Sequence, residues 1–115
     1  MKIGHIELFV RDINASKDFF CDILNFELVT KQKDVVWIKL GETEILLRQG
    51  FPHKVQDYQE TSVGLVLYTD NLEKSSSMLK TKGLVFKGID GSKNCLTFTD
   101  PDGHWFQLVN PNELH

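Results

Sequence analysis

The same alternation of apolar and polar residues appears twice in the chain. Apolar residues recur at every second position in residues 5–13, and a matching pattern occupies residues 64–72. A period of two is typical of a strand that buries one face. The matching positions are Ile6, Leu8, Phe9 and Ile13 in the first segment and Leu65, Leu67, Tyr68 and Leu72 in the second.

A helix is predicted after each of these strands. In the first half, Asp12 or Asn14 can cap it. In the second half, Asp70 followed by Glu73 fits a capping pattern, and Gly83 is placed to end the helix. The first predicted helix, Asn14 to Leu24, is amphipathic, and the residues on one side of it are Ala15, Phe19, Phe20, Ile23 and Leu24. The second helix is more weakly amphipathic, and the corresponding residues are Leu72, Ser76 and Leu79.

Three further strand-like runs follow each helix, and a tight turn joins the last two. The first turn falls at residues 41–43. The second is Asp100-Pro101-Asp102-Gly103, with proline and glycine where a type I turn favours them, and His104 is expected at the end of this hairpin. The predicted strands are residues 25–28, 35–40 and 44–48 in the first half and residues 83–86, 95–99 and 105–109 in the second.

The predicted order is therefore βαβββ, a linker and a second βαβββ. The linker, residues 49–62, is polar, contains Pro52 and has little periodicity, and its length suits a connection between two halves. One helix per half predicts an α+β fold with the helices on one face of a mixed sheet. We expect a single domain over residues 1–115, with modules of about 1–50 and 62–111.

Composition narrows the class of protein. A chain of 115 residues, 41% of them apolar, can form a core without disulfides. The net charge of −3 is mild and its charges are interspersed, so we expect neither nucleic acid nor membrane as a partner. Cys21 and Cys95 form no CxxC pair. We expect two reduced, buried thiols in a cytoplasmic protein, with a disulfide between them as the alternative.

The chain resembles the vicinal oxygen chelate superfamily in its repeated βαβββ order, its opening H-I-E-L-F-V-R-D-I and its later D-P-D-G-H-W-F-Q-L-V-N-P. That superfamily includes glyoxalase I, extradiol dioxygenases, fosfomycin-resistance enzymes and bleomycin-binding proteins. The resemblance covers about residues 3–111. It implies that each half forms a curled sheet, that two halves close a cavity, and that these halves often come from the two chains of a homodimer.

Alternation along the strands decides which side chains face that cavity. The residues expected to bind a small-molecule ligand are His5, Glu7, Phe9, Trp37, Arg48, Tyr68, Trp105 and Gln107. Each also has a structural interpretation. His5 can be a hydrogen-bonded structural histidine, Glu7 and Arg48 a surface pair, and the three aromatic residues part of a core or a dimer interface.

Metal-dependent members of this superfamily use one position on the first strand and one on the last strand of each half, usually His or Glu. The resemblance places these positions at His5, Leu46, Gly64 and Gln107. Leucine and glycine have no donor side chain, and glutamine offers only a neutral carbonyl oxygen. We therefore expect no metal and no other cofactor. A rearranged site of His5, Glu7 and Glu44 is the alternative.

Two functions follow from these expectations. The favoured one is a binding protein that sequesters a ligand in an aromatic-lined cavity without a metal, as in the bleomycin-resistance branch. The alternative is a metal-dependent lyase, isomerase, dioxygenase or thiol transferase, in which the metal acts as a Lewis acid. A metal-free catalyst with Glu7 or Glu44 as general base is also open.

Overall fold

A computed structural model describes residues 1–89 and 96–113. The chain divides into two units, Met1–His53 and Lys54–His115, with the division inside the predicted linker. Each unit holds one helix and one unclosed, curled four-stranded mixed sheet, so the predicted α+β class is confirmed. No helix among the described residues has the length and apolar character needed to cross a membrane.

Unit 1 follows the predicted order. Its sheet has the strand order β1-β4-β3-β2, in which β1 runs parallel to β4 and the other pairs are antiparallel. The second strand begins two residues later than predicted, because Asn25 and Phe26 belong to the end of the helical segment. The elements are β1 (Ile6–Val10), α1 (Ile13–Asp18), a π-helical turn (Phe19–Ile23), β2 (Glu27–Lys31), β3 (Val35–Leu40) and β4 (Thr43–Gln49).

Unit 2 repeats this topology with the order β5-β8-β7-β6, and β5 runs parallel to β8. The residue Cys95, with which the third predicted strand began, lies outside the described residues. The elements are a 3₁₀ turn (Tyr58–Glu60), β5 (Gly64–Tyr68), α2 (Leu72–Thr81), β6 (Gly88–Ile89), β7 (Leu96–Thr99), β8 (Trp105–Val109) and a 3₁₀ turn (Pro111–Glu113).

In each unit the helix packs on one face of the sheet, as the alternation predicts. Leu8 and Val10 of β1 are buried, while Glu7 and Phe9 between and beside them are exposed. Along the first helix the side chain that is buried is Ser16 rather than Ala15. The remaining buried core residues include Phe20, Val36, Ile38, Ile45 and Leu47 in unit 1 and Leu79, Leu84, Phe98, Phe106 and Leu108 in unit 2.

Both helices begin at a side-chain cap, but only one cap is the predicted one. Asp12 caps α1 by accepting a hydrogen bond from the Ala15 backbone N–H at 3.0 Å, which confirms Asp12 over Asn14. The predicted cap at Asp70 is wrong. Asn71 caps α2 instead, because its Oδ1 accepts from the Lys74 N–H at 2.9 Å.

The two helical segments end in related ways. Gly83, at φ +99°, ends α2 as predicted, and the Leu84 N–H bonds the Leu79 carbonyl in a Schellman arrangement. In unit 1 the left-handed residue is Asn25, at φ +65°, and the Phe26 N–H reaches the Phe20 carbonyl. The first segment, from its cap Asp12 to Asn25, is one residue longer than the second, from its cap Asn71 to Gly83. The π-helical turn accommodates that extra residue.

The strand predicted at residues 83–86 is wrong. Gly83 and Leu84 form the end of α2, and Leu84 is buried as its hydrophobic contact. Phe86 packs edge-on against Phe98 with ring centroids 5.8 Å apart, and β6 starts only at Gly88. The apolar residues Leu84 and Phe86 therefore pack at the end of α2 and against Phe98, and residues 84–86 form no strand.

Both predicted hairpin turns are present. Gly41, at φ +59°, takes the first central position between β3 and β4, which type II′ turns give to glycine. In the second hairpin the Gly103 N–H donates to the Asp100 carbonyl at 3.1 Å, closing the predicted turn. His104 lies directly after that turn, as expected.

Candidate functional site

The sheet face of unit 1 that lies opposite α1 carries five of the predicted ligand-binding residues. On β1, Glu7 and Phe9 point away from the buried Leu8 and Val10. The register places Glu7 beside Leu46 and Phe9 beside Arg48 on β4. On β3, Trp37 pairs with Leu46 from the other side. The face therefore has two rows, Glu7–Leu46–Trp37 and Phe9–Arg48–Val35.

Three polar side chains on this face form one network around Glu7. The Arg48 Nε–H donates to Glu7 Oε1 at 2.8 Å. The second carboxylate oxygen, Oε2, lies 3.5 Å from His5 Nε2. The hydrogen bond from Arg48 lowers the pKa of Glu7, with a weaker contribution from His5, while burial opposes the shift. Glu7 is therefore an anion at neutral pH with both oxygens engaged.

Two aromatic rings border the network. The His5 ring meets Trp37 edge-on, with centroids 4.7 Å apart. Phe9 packs against the backbone of Gly50, where an added Cβ would lie 3.0 Å from the Phe9 ring, and Phe9 remains 47% exposed. Glycine at position 50 lets the Phe9 ring lie against the chain while its other side stays open. The structure thus brings His5, Glu7, Phe9, Trp37 and Arg48 together.

The corresponding strand positions of unit 2 carry neutral side chains. Tyr68 is 67% exposed at the end of β5, and Val66 lies beside Gln107 in the register. Gln107 is buried, and Thr97 flanks it on β7. Tyr68 and Gln107 occupy the face expected from the alternation. That they contact a ligand stays a prediction.

Trp105 is covered by the predicted linker. Its Nε1–H donates to the Val55 carbonyl at 3.2 Å, and the Tyr58 ring meets it edge-on with centroids 5.9 Å apart. Only 4% of Trp105 is exposed, which favours its structural interpretation. It also lines a cavity of about 180 Å³ within unit 2, whose other lining residues are Gln56, Asp57, Tyr58, Gln59, Lys87, Gly88 and Thr97.

Tyr58 was missed by the sequence reasoning because it lies in the aperiodic linker. Its side chain rests against Gly64, where an added Cβ would be 2.6 Å from the Tyr58 hydroxyl oxygen. Glycine inside a strand is typical of a place that another group approaches closely. That signal was available at Gly64, which sequence reasoning took only as a missing ligand.

The four positions to which the family resemblance assigns metal ligands do not fit a divalent cation in this chain. In unit 1, Leu46 is 4% exposed and apolar, and His5 directs Nε2 toward Glu7. In unit 2, Gly64 has no side chain and Tyr58 fills the adjoining space, while Gln107 is neutral. Among residues 1–89 and 96–113, no three His, Cys, Asp or Glu side chains form a metal-holding group. The alternative set with Glu44 is therefore not assembled in the described chain.

A second carboxylate–histidine pair lies at the β7–β8 hairpin. The buried Asp100 carboxylate accepts hydrogen bonds from the Asp102 and His104 backbone N–H groups at 3.0 and 2.8 Å. Its Oδ2 lies 2.6 Å from His104 Nδ1. These contacts hold the turn in place, so the pair has a structural role in this hairpin.

The cysteine prediction is only partly covered by the described residues. Cys21 carries a free, half-buried thiol, and burial raises its pKa, with a smaller opposing effect from Lys17. A raised pKa disfavours the thiolate, which is the reactive form. Cys95 lies outside the described residues.

The chain matches the family model of the Glyoxalase/Bleomycin resistance protein/Dioxygenase superfamily over residues 2–108. It therefore belongs to this superfamily, and the resemblance found in the sequence is confirmed.

Proteins with different functions are similar to this chain. Metallothiol transferase FosB of Staphylococcus epidermidis is 28% identical over 112 residues, which cover 92% of this chain and 79% of that protein. TnmS3, an antibiotic-binding protein from Streptomyces sp. CB03234, is 25% identical in its crystal structure, with a TM-score of 0.72 over 96% of this chain and 98% of TnmS3.

A third relative is similar in fold. The fosfomycin resistance protein FosX of Listeria monocytogenes, crystallised with Mn(II) and a sulfate ion, has a TM-score of 0.76 and 20% identity over 95% of this chain and 89% of FosX. At this identity the likeness supports the fold alone. The similar proteins thus include a metallothiol transferase and an antibiotic-binding protein.

Proposed function

We propose that this protein binds and sequesters a small molecule without a metal, using the open face of the unit 1 sheet. The observation that carries the proposal is the convergence of His5, Glu7, Trp37 and Arg48 on that face. Small-molecule sites commonly combine aromatic surface with a few oriented polar groups. Here Trp37 and Phe9 supply the surface, and the Glu7 network supplies the polar groups.

The donor set argues against a metal at the family's usual positions. Together His5, Leu46, Gly64 and Gln107 offer one imidazole and one neutral amide. Divalent transition metals in proteins are normally held by several imidazole, thiolate or carboxylate ligands. The antibiotic-binding relative TnmS3 is a precedent for a binding function in this fold.

The alternative is a metal-dependent enzyme of the same superfamily with a rearranged site. The similarity to metallothiol transferase FosB, at 28% identity, favours this alternative. It requires ligands other than the four family positions, and these would have to include residues outside the described chain or groups from a partner.

We propose in addition that the protein acts as a homodimer in the cytoplasm. β2 lies at the edge of its sheet with all five residues exposed, including Leu28 and Val29 at 44% and 46%. An exposed apolar edge strand is a common site of association. Light scattering coupled to size exclusion tests this, and a monomer at micromolar concentration would contradict it.

The binding proposal can be tested by NMR with a library of small aromatic compounds in the presence of EDTA. We expect amide and indole signals of His5, Glu7, Trp37 and Arg48 to shift together for some compounds. Trp37→Leu should abolish these shifts, whereas Phe51→Leu, a matched change at a ring that is 86% exposed, should not. Binding that appears only after Mn²⁺ is added would support the metal-dependent alternative instead.

A further inference from the structure

The Arg48 end of the unit 1 face has unused hydrogen-bond donors. The Nε–H of Arg48 donates to Glu7, but within residues 1–89 and 96–113 neither Nη atom of Arg48 has a hydrogen-bond partner. The side chain is 47% exposed. Glu7 therefore holds the guanidinium at its base and leaves the outer edge of the fork open. A guanidinium in this state is matched to the two oxygens of a carboxylate.

The carboxylate of Glu7, beside Arg48, is not available to bind a positively charged ligand. Both oxygens of Glu7 face protein cations or donors, Arg48 on one side and His5 on the other. The next carboxylate on this face of β4 is Glu44, about 13 Å away along the strand. Glu44 lies opposite Lys39 in the register, so a cation is also close to it. The groups near Arg48 that remain available to a ligand are therefore hydrogen-bond donors, namely the Nη groups of Arg48 itself.

Apolar surface borders the fork on both sides. Phe9 and Val35 flank Arg48 in the register, and Trp37 lies one row away on the same face. Phe9 is fixed against Gly50 and keeps its outer side exposed. A planar ring laid on this surface would lie next to the Arg48 guanidinium.

Resting on the proposed binding function, we propose that the ligand is a planar molecule bearing a carboxylate, with the carboxylate on the Nη groups of Arg48 and the ring against Phe9 and Trp37. This assignment differs from a cationic ligand, which the presence of Glu7 alone would suggest. Arg48 is then the residue that determines specificity.

A matched pair of probes tests this inference. 2-Naphthoate and 2-naphthamide share one ring system and nearly one shape, but only the first carries a negative charge. Charge-assisted hydrogen bonds predict that the wild-type protein binds naphthoate about tenfold more tightly than naphthamide, as measured by calorimetry. R48Q should reduce naphthoate binding to about the naphthamide level, with a much smaller loss for naphthamide because its amide carries no charge. K39Q, a matched loss of a cation on the same face, should keep the preference.

The outcomes separate this inference from the proposed function. Equal affinity for the two probes, or a preference that survives R48Q, overturns the carboxylate assignment while binding itself stands. Absence of binding by both probes also overturns it, and the NMR screen then decides whether this face binds any ligand. We expect R48Q to remain folded, because both partners of the lost ion pair are solvent-exposed. Circular dichroism checks this.

Discussion

The open sheet faces of the two units are equivalent by register, yet they differ in chemistry. Unit 1 presents a charged, aromatic surface, whereas the matching positions of unit 2 are neutral and partly covered by Val55 and Tyr58. The same topology therefore carries the proposed binding surface in one half and a packing surface in the other. The equivalent pairs are His5 and Gly64, Glu7 and Val66, Trp37 and Thr97, Leu46 and Gln107, and Arg48 and Val109.

The largest predicted difference between the two units is the contribution of their hairpin turns to the free energy of unfolding. Asp100→Ala removes a buried carboxylate that accepts two backbone N–H groups and contacts His104, so we expect a loss of about 2–3 kcal/mol in the free energy of unfolding. Glu42→Ala, in the glycine turn of unit 1, should change it little because that residue is exposed. Urea denaturation measures both, and equal effects would contradict the difference between the hairpins.

The contact of Tyr58 with Gly64 predicts the next largest effect. Gly64→Ala places a Cβ 2.6 Å from the Tyr58 hydroxyl oxygen, and overpacking of this kind costs about 1–2 kcal/mol. Tyr58→Ala should relieve that cost, so the two changes should be strongly non-additive in a double-mutant cycle. Gly4→Ala is the control, since nothing lies within 4 Å of its added Cβ. Additive effects would show that Tyr58 does not rest on Gly64 in solution.

On the unit 1 face, changes should affect binding more than stability. Glu7→Gln weakens the bond to Arg48 and the contact with His5, but these groups are exposed and solvent screens them. We expect nearly unchanged thermal unfolding together with weaker binding of the compounds found by NMR, because the Arg48 fork loses its anchor. A large fall in thermal stability with intact binding would instead support a purely structural network.

The smallest predicted effect is a shift in the titration of Glu7. Its pKa lies below the ordinary value of 4.5, so the carboxylate contributes stability above that value and loses the contribution as pH falls through the folded-state pKa. An NMR titration of the Glu7 side chain should find the lowered pKa, and Arg48→Gln should move it back up. A wild-type pKa at or above 4.5 would argue against the hydrogen bond in solution.

The sequence predicted elements with strong alternation well. Strand Val35–Leu40 matches its prediction, because one buried face imposes a period of two. Strand Trp105–Val109 matches as well, although all five of its residues are buried. The cap at Asn71 and the π-helical turn were not predicted, since they depend on single hydrogen bonds that leave no periodic signal.

The candidate site shows the same limit. Parity along the strands identified the face that carries Glu7, Phe9 and Arg48, but it did not reveal that Glu7 is shared between Arg48 and His5. The position of Tyr58 could not be predicted from the linker, because that segment has no periodicity and packs through individual contacts. The sequence thus predicted the surface and offered a Glu7–Arg48 pair on it, and the structure added the contact of His5 with Glu7.

Manganese binding followed by electron paramagnetic resonance tests the central claim most directly, which is that the family's metal positions hold no donor set in this chain. Protein at a stoichiometric or greater concentration should leave the signal of free Mn²⁺ at full amplitude, and His5→Ala should behave like wild type. Loss of the signal by one equivalent per chain, abolished by His5→Ala, would contradict the account and favour the metal-dependent enzyme.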